Sequence, residues 1–236
     1  MVERIRSNIE SAGHHVTLVQ GGPTPRFAYT VGLTGDTGYE VILAGGISLL
    51  GRAVKQALDR AVEAARERLL VPDSSLAVDG VGSFQVGRVH HSWAKELLLG
   101  AFDFYGRDDV AALQLVPEAE AWTIDVPDLS APWSGASEPV WRWLKELWGL
   151  DVSPMSTAVT NLAALRGEPI SQAARWEETD WEIFAGAGPD VLNEDMRVVP
   201  LATLLGFDPS LEPVTQLEVG SAIRREPPGP WEPWGK

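Results

Sequence analysis

The hydrophobic pattern changes period several times along the chain. Val2, Ile5 and Ile9 recur at helical spacing, and Gly13 can close that helix over residues 2–12. HHVTLV (14–19) alternates as a strand and GGPTP is a turn. RFAYTVGL (26–33) reads as a second strand, rich in aromatic and β-branched residues. After the turn TGDTG, YEVILAGG (39–46) is a third strand, nearly all apolar. Leu50, Val54, Ala57, Leu58, Ala61, Val62, Ala65 and Leu69 then form one continuous stripe. It predicts a long helix over 48–70, with Ser48 as its cap and Val71-Pro72-Asp73 as its stop. SFQVGRV (83–89) is a further strand, Ser92 caps a helix over 93–105, and VAALQLV (110–116) is a short apolar strand.

Residues 117–136 are rich in Pro, Asp and Ser and read as a linker. SEPVWRWLKELWG offers a short helix in which Trp141, Leu144, Leu147 and Trp148 share a face. Beyond it, AVTNLAAL and PISQAARW look like strands paired around the turn RGEP. WEIFAGAGPD reads as a strand running into a Gly188-Pro189 turn. VVPLATLLG reads as a strand entering one helical turn closed by Gly206. The tail PPGPWEPWGK carries four prolines, which excludes a helix or a central strand. Clustered strands interrupted by helices argue for an α+β fold. The expected organisation is two small domains, each a mostly antiparallel sheet with packed helices. The first spans 1–130, a Trp-rich linker helix lies in 131–153, and the second spans 154–236 with the Pro-rich tail.

Composition narrows the chemistry. There is no cysteine, so disulfides, thiolate catalysis and cysteine-based metal sites are excluded. No apolar run reaches the length of a membrane span, and the first residues lack the apolar core of a signal peptide, so a cytoplasmic location is expected. The net charge is -14, and residues 151–236 carry 14 acidic against 6 basic side chains. That field has the wrong sign for nucleic acid, which needs a dense positive surface. It suits a basic protein partner or self-association.

Catalytic motifs are missing. There is no G-x-S-x-G elbow, and GLTGDTG and GGISLLG fail dinucleotide and P-loop spacing. Gly45-Gly46 could still admit an anion to the start of the long helix, or serve as an ordinary turn. The four histidines form two pairs, His14-His15 and His90-His91. Neighbours on a strand point to opposite faces, so each pair sends at most one ring to a shared site. A third metal ligand has no marked spacing, although Asp103 or Glu96 could supply one; no metal or other cofactor is expected. Arg26, Tyr29, His91, Tyr105 and Gln114 are the candidate ligand-binding residues of the first domain, with the two tyrosines more readily read as core aromatics. Asn161, Arg175, Trp176, Asp180 and Trp181 are the candidate partner-binding residues of the second, with both tryptophans more readily read as completing a small core.

Two resemblances add to this reading. PRFAYTVGLTGDTGYEVILAGG, HHSW and FYGRDDVAALQLVPE together resemble the bacterial family DUF4262 over about residues 12–126. Ala94 stands where that family has an aromatic, Val116-Pro117-Glu118 replaces a WPD segment, and AEAWTIDVP replaces a GxFPWE element. AVTNLAALRGEPISQAARW, DWEIFAGAGPD and LLGFDPSLEPVTQLEVGSAIRRE are similar to the DUF2185 (immunity protein 33-like) family over about 154–226. Here Thr160-Asn161 replaces Ser-Asn, and Glu218 stands where a proline is usual. This second resemblance implies a non-enzymatic, immunity-like protein that binds another protein. The alternative is an enzyme or small-ligand binder using a His/Tyr/Arg pocket in the first domain.

Overall fold

The computed structural model describes residues 2–186 and 191–235, so the expected Gly188-Pro189 turn lies outside the described residues. The fold is α+β, with helices and two mixed six-stranded sheets. The chain divides into two compact units. One holds residues 1–20, 26–122 and 126–137; the other holds 21–25, 123–125 and 138–236. Among the described residues no helix is long and apolar enough to cross a membrane.

The first unit is built on strands β1 (His15–Val19), β2 (Phe27–Val31), β3 (Tyr39–Ala44), β4 (Ser75–Val78), β5 (Gly82–Arg88) and β6 (Ala111–Pro117). Their order is β1-β2-β3-β6-β5-β4, antiparallel except for the parallel pair β3–β6. Helix α3 (Gly51–Arg66) buries Val54, Ala57, Leu58, Ala61, Val62 and Ala65 against one face. Alternation along the strands supplies the other half of that core: Val41 and Leu43, Phe84 and Val86, Leu113 and Leu115. Helix α1 (Val2–Ala12) covers the β1 end, and Gly13 closes it with φ +77°.

The helix ends differ from the sequence expectation. The stripe residues Leu50 and Leu69 are exposed, because α3 begins at Gly51 and stops at Arg66. Ser48 does not cap it; its hydroxyl donates to the Ala121 carbonyl, and Leu50 occupies the cap position. The expected helix 93–105 is two, α4 (His91–Leu97) and α5 (Leu99–Tyr105), broken at Leu98. His90 caps α4, its Nδ1 accepting from the Ser92 amide. TGDTG is a one-turn helix, α2 (Thr34–Thr37), ended by Gly38 at φ +85°.

The second unit orders its strands β10-β7-β9-β8-β11-β12: β7 (Thr157–Asn161), β8 (Ile170–Arg175), β9 (Asp180–Ala185), β10 (Met196–Pro200), β11 (Ser221–Arg224) and β12 (Glu232–Pro233). The expected β7–β8 hairpin does not form. Residues Leu162–Leu165 become helix α6, and β9 inserts between the two strands, parallel to β7 and antiparallel to β8. Asn161 makes this possible. Its Oδ1 accepts from the amides of Ala164 and Ala185, and its Nδ2 donates to the Ala185 carbonyl, so one side chain caps α6 and ties β7 to β9.

The Trp-rich segment forms a 3₁₀ helix, Pro139–Leu144, within the second unit. Its expected face does not hold: Trp141 is buried and donates its indole N–H to the Asp125 carbonyl, whereas Leu147 is exposed. The 3₁₀ helix packs on α7 (Leu201–Phe207). Gly206 is not the closing residue of that helix but a contact point inside it. A Cβ there would lie 2.7 Å from Val140 Cα and 2.9 Å from the Pro139 carbonyl oxygen. Both are backbone atoms, which cannot swing aside. Gly206→Ala should therefore lower stability by about 1–3 kcal/mol. The check is urea unfolding, with the midpoint falling at unchanged slope.

One buried charge organises the loop ahead of β3. Glu40 is fully buried in an otherwise apolar strand. Its Oε1 accepts from the backbone amides of Gly32 (3.1 Å), Leu33 (3.0 Å) and Thr34 (2.9 Å), from the Thr34 hydroxyl (2.8 Å) and from Tyr105 Oη (2.5 Å). Its Oε2 accepts from the Thr30 hydroxyl at 2.7 Å. Only donors face this carboxylate, which suits an acceptor-only group. Glu40→Gln places an amide NH₂ among those donors and should cost about 2–3 kcal/mol, again read by urea unfolding. Burial, with Glu40 beside it, pushes the Tyr105 hydroxyl up from 10.0 to about 12. A raised folded-state value means that the folded chain holds this proton more tightly than the unfolded chain. The resulting stability is complete below pH 10 and is lost as pH rises through about 12. Tyr105→Phe should therefore flatten the loss of stability over that window, measured as urea midpoints at successive pH values.

Candidate functional site

The residues singled out in the first domain are held by the fold. Arg26 reaches across the turn after β3 and donates to the carbonyls of Gly46 and Leu49. This makes Gly45-Gly46 a braced strand-to-helix turn. Tyr29 is buried and its hydroxyl accepts from the Gly100 amide at 3.0 Å; burial raises its pKa. Tyr105 belongs to the Glu40 cluster and accepts from the Gly32 amide at 2.8 Å. Gln114 is buried on the face of β6 opposite the α3 core, donating to the Pro127 carbonyl and accepting from the Leu129 amide. His91 is exposed, with its ring 4.3 Å from that of His90.

The histidines have separate local partners. His14 Nε2 lies 3.0 Å from Asp59, His15 Nδ1 lies 2.7 Å from Asn8 Nδ2, and His90 Nδ1 lies 2.9 Å from the Ser92 hydroxyl. Burial, and then Arg4 and His14, lower the His15 pKa. Among the described residues no group of three His, Asp or Glu side chains could hold a metal ion.

A cleft of the first unit lies elsewhere. It has a volume of about 820 Å³ and opens where α3 ends and the parallel strands begin. The period-2 pattern explains its position. Tyr39 and Ala111 are paired across β3 and β6, on the same strand faces as the core residues Val41 and Leu113 but one step earlier. Arg88 follows Phe84 and Val86 in the same way on β5, opposite Leu113. At these positions α3 no longer covers the sheet. The floor is therefore apolar, formed by Tyr39, Ala65, Leu70, Val71, Pro72 and residues 111–113. The Tyr39 hydroxyl donates to the Leu70 carbonyl at 2.7 Å, which fixes the ring; burial raises its pKa.

Three arginines line this cleft, Arg66, Arg68 and Arg88, against one carboxylate, Asp36. Arg66 donates to the Gly13 carbonyl at 2.6 Å. The guanidinium groups of Arg68 and Arg88 have no hydrogen-bond or ion-pair partner among the described residues. Arg68 also has φ +61°, in the left-handed region. It ends α3: its amide bonds the Ala65 carbonyl and the Leu69 amide bonds the Ala64 carbonyl. That pair of bonds defines the helix ending in which glycine is usual at this position. Sequence reasoning missed all three arginines, because each is an ordinary surface cation in its own segment. A left-handed residue after the stripe, with no glycine to fill it, was the only available signal.

In the second unit the five candidates separate. Besides Asn161, Arg175 is committed to the carbonyls of Leu217 (2.8 Å), Glu178 (2.8 Å) and Glu177 (3.3 Å), and its guanidinium lies over the ring of Trp181. Trp181 is buried. Asp180 accepts from the Thr157 hydroxyl at 2.8 Å. Trp176 is 57% exposed, and its indole N–H donates to Glu182 at 2.8 Å.

No curated protein and no solved structure matches the chain. Residues 8–121 fit the family model described as a domain of unknown function, DUF4262, so the stretch from β1 to the end of β6, Arg-lined cleft included, is similar to that family.

Proposed function

We propose that this chain is a binding protein whose first unit holds a small anionic organic molecule in the cleft at the end of α3. The observation that carries this reading is the pair of guanidinium groups, Arg68 and Arg88, without a partner among the described residues, in a cleft that also has an apolar lining. A concave apolar site with a few convergent polar groups is the usual form of a small-molecule site. Local excess of arginine in a chain of net charge -14 selects the sign of the ligand. The sequence-based expectation of a ligand site in this domain is thus kept, with different residues: Tyr29, Tyr105 and Gln114 support the walls of the fold, and Arg68, Arg88 and Tyr39 meet the ligand.

A second reading belongs to the second unit. Its DUF2185 resemblance rests on the quoted phrases alone. One observation favours a protein partner there, the half-exposed Trp176 held in one orientation by Glu182. An aromatic anchor of this kind suits an interface hot spot. A cytoplasmic, immunity-like role follows only if such a partner is found.

Thermal unfolding of the full chain against a panel of aryl and alkyl carboxylates and phosphates tests the leading reading. A ligand present at 100 times its Kd stabilises the folded state by about 2.7 kcal/mol. At least one anion should raise Tm, its neutral analogue should not, and Arg88→Ala should abolish the shift. A panel without effect at millimolar concentration, or a shift that survives Arg88→Ala, overturns the assignment.

A further inference from the structure

Resting on that reading, we infer that the cleft takes a phosphate monoester with an apolar body, and that Arg68 is the residue that determines its affinity, kept in a strained backbone conformation for that purpose. The backbone is the first argument. Arg68 occupies the left-handed position of a helix ending, at φ +61°. Glycine adopts that conformation without steric cost, whereas an L side chain crowds its Cβ against the following carbonyl. Nothing local compensates, since the guanidinium has no partner among the described residues. Residues held in sparsely populated backbone conformations cluster at ligand sites, and this one lines the cleft.

The number of cations is the second argument. A carboxylate has two oxygens and one charge, and a single guanidinium fork satisfies it. Here Arg68, just past the end of α3, and Arg88, at the end of β5, line the cleft from different elements, and Arg66, which also lines it, keeps donors beyond the one used on Gly13. Three forks match a group with three terminal oxygens and close to two charges, which is a phosphate monoester. The fixed Tyr39 ring and Leu70 offer the ester substituent a flat apolar bed.

Calorimetry with phenyl phosphate, benzoate and inorganic phosphate, on the full chain and on Arg68→Gly, tests this. Phenyl phosphate should bind at least about tenfold more tightly than either of the others. Arg68→Gly should raise the ligand-free Tm by about 2–4 °C and weaken phenyl phosphate binding by about tenfold to a hundredfold. That opposite movement of stability and affinity is one that a merely structural arginine cannot produce. Arg68→Lys, which keeps the strain and the charge but loses the fork, should weaken binding without raising Tm. An affinity unchanged in Arg68→Gly, or benzoate binding as well as phenyl phosphate, overturns this inference while leaving an anion-binding cleft in place. Absence of binding by all three probes and by the wider anion panel removes the cleft reading itself.

Discussion

The first unit depends on a carboxylate taken out of water. An ionised group in an apolar interior is tolerable only when its hydrogen-bonding capacity is filled. Glu40 meets that condition with three backbone amides, two hydroxyls and a phenol. The amides come from consecutive residues, Gly32 to Thr34, so the chain must turn around the carboxylate. Gly32 has φ +116°, and a Cβ there would lie 3.1 Å from Ile9. Thr30 closes the other side and also accepts from the Val41 amide at 2.8 Å. The phrase Thr30-Val31-Gly32-Leu33-Thr34 is thus a binding loop for the chain's own acid.

That arrangement sets the site. With Glu40 directed at the loop and Tyr105, alternation sends its neighbours Tyr39 and Val41 to the opposite face, under α3. Val41 is covered by the helix and Tyr39 lies past its end. The same register brings Ala111 beside Tyr39, and Arg88 opposite Leu113. The internal anion and the proposed external one therefore use opposite faces of one strand. The first is enclosed by backbone amides, in a place that a side chain of fixed length can reach. The second is offered guanidinium groups at an open end, where a ligand can enter and leave.

Local pattern made much of this legible. The stripe of α3, the helix closed by Gly13, and strands β1, β2, β3 and β6 follow from period and turn chemistry, because each buries one face against a neighbour close in sequence. What the sequence concealed depends on distant contacts. Strand β9 separates β7 from β8 because Asn161 bonds a residue on β9, and no local rule announces that bond. Gly206 reads as a helix stop, yet its use is to admit the backbone of residues 139–140. Tyr29, Tyr105 and Gln114 are conspicuous as polar residues among apolar ones, and for that reason they are spent on buried backbone partners. Glu40 carried a signal, a lone acid within YEVILA. The arginines carried only the missing glycine after the α3 stripe, since their meaning comes from the ends of two elements, α3 and β5, lining one cleft.

The charge balance explains why such a site would be built from arginine and placed in a recess. At about 0.1 M salt the field of an exposed charge decays over about 10 Å. An approaching anion first meets the average surface of a chain with net charge -14, which is unfavourable. Inside the cleft three arginines line the wall against one carboxylate, Asp36, so the local balance of charge there is opposite to that of the whole chain. Affinity must then come from short-range forks and apolar contact, with little from steering. A lysine, strongly hydrated and unable to pair two oxygens in a plane, would give less in that setting. Tolerating a left-handed arginine where glycine would fit is consistent with the same demand: the fold gives up a small amount of stability at one helix end, and the recess gains the one kind of cation that works at contact range.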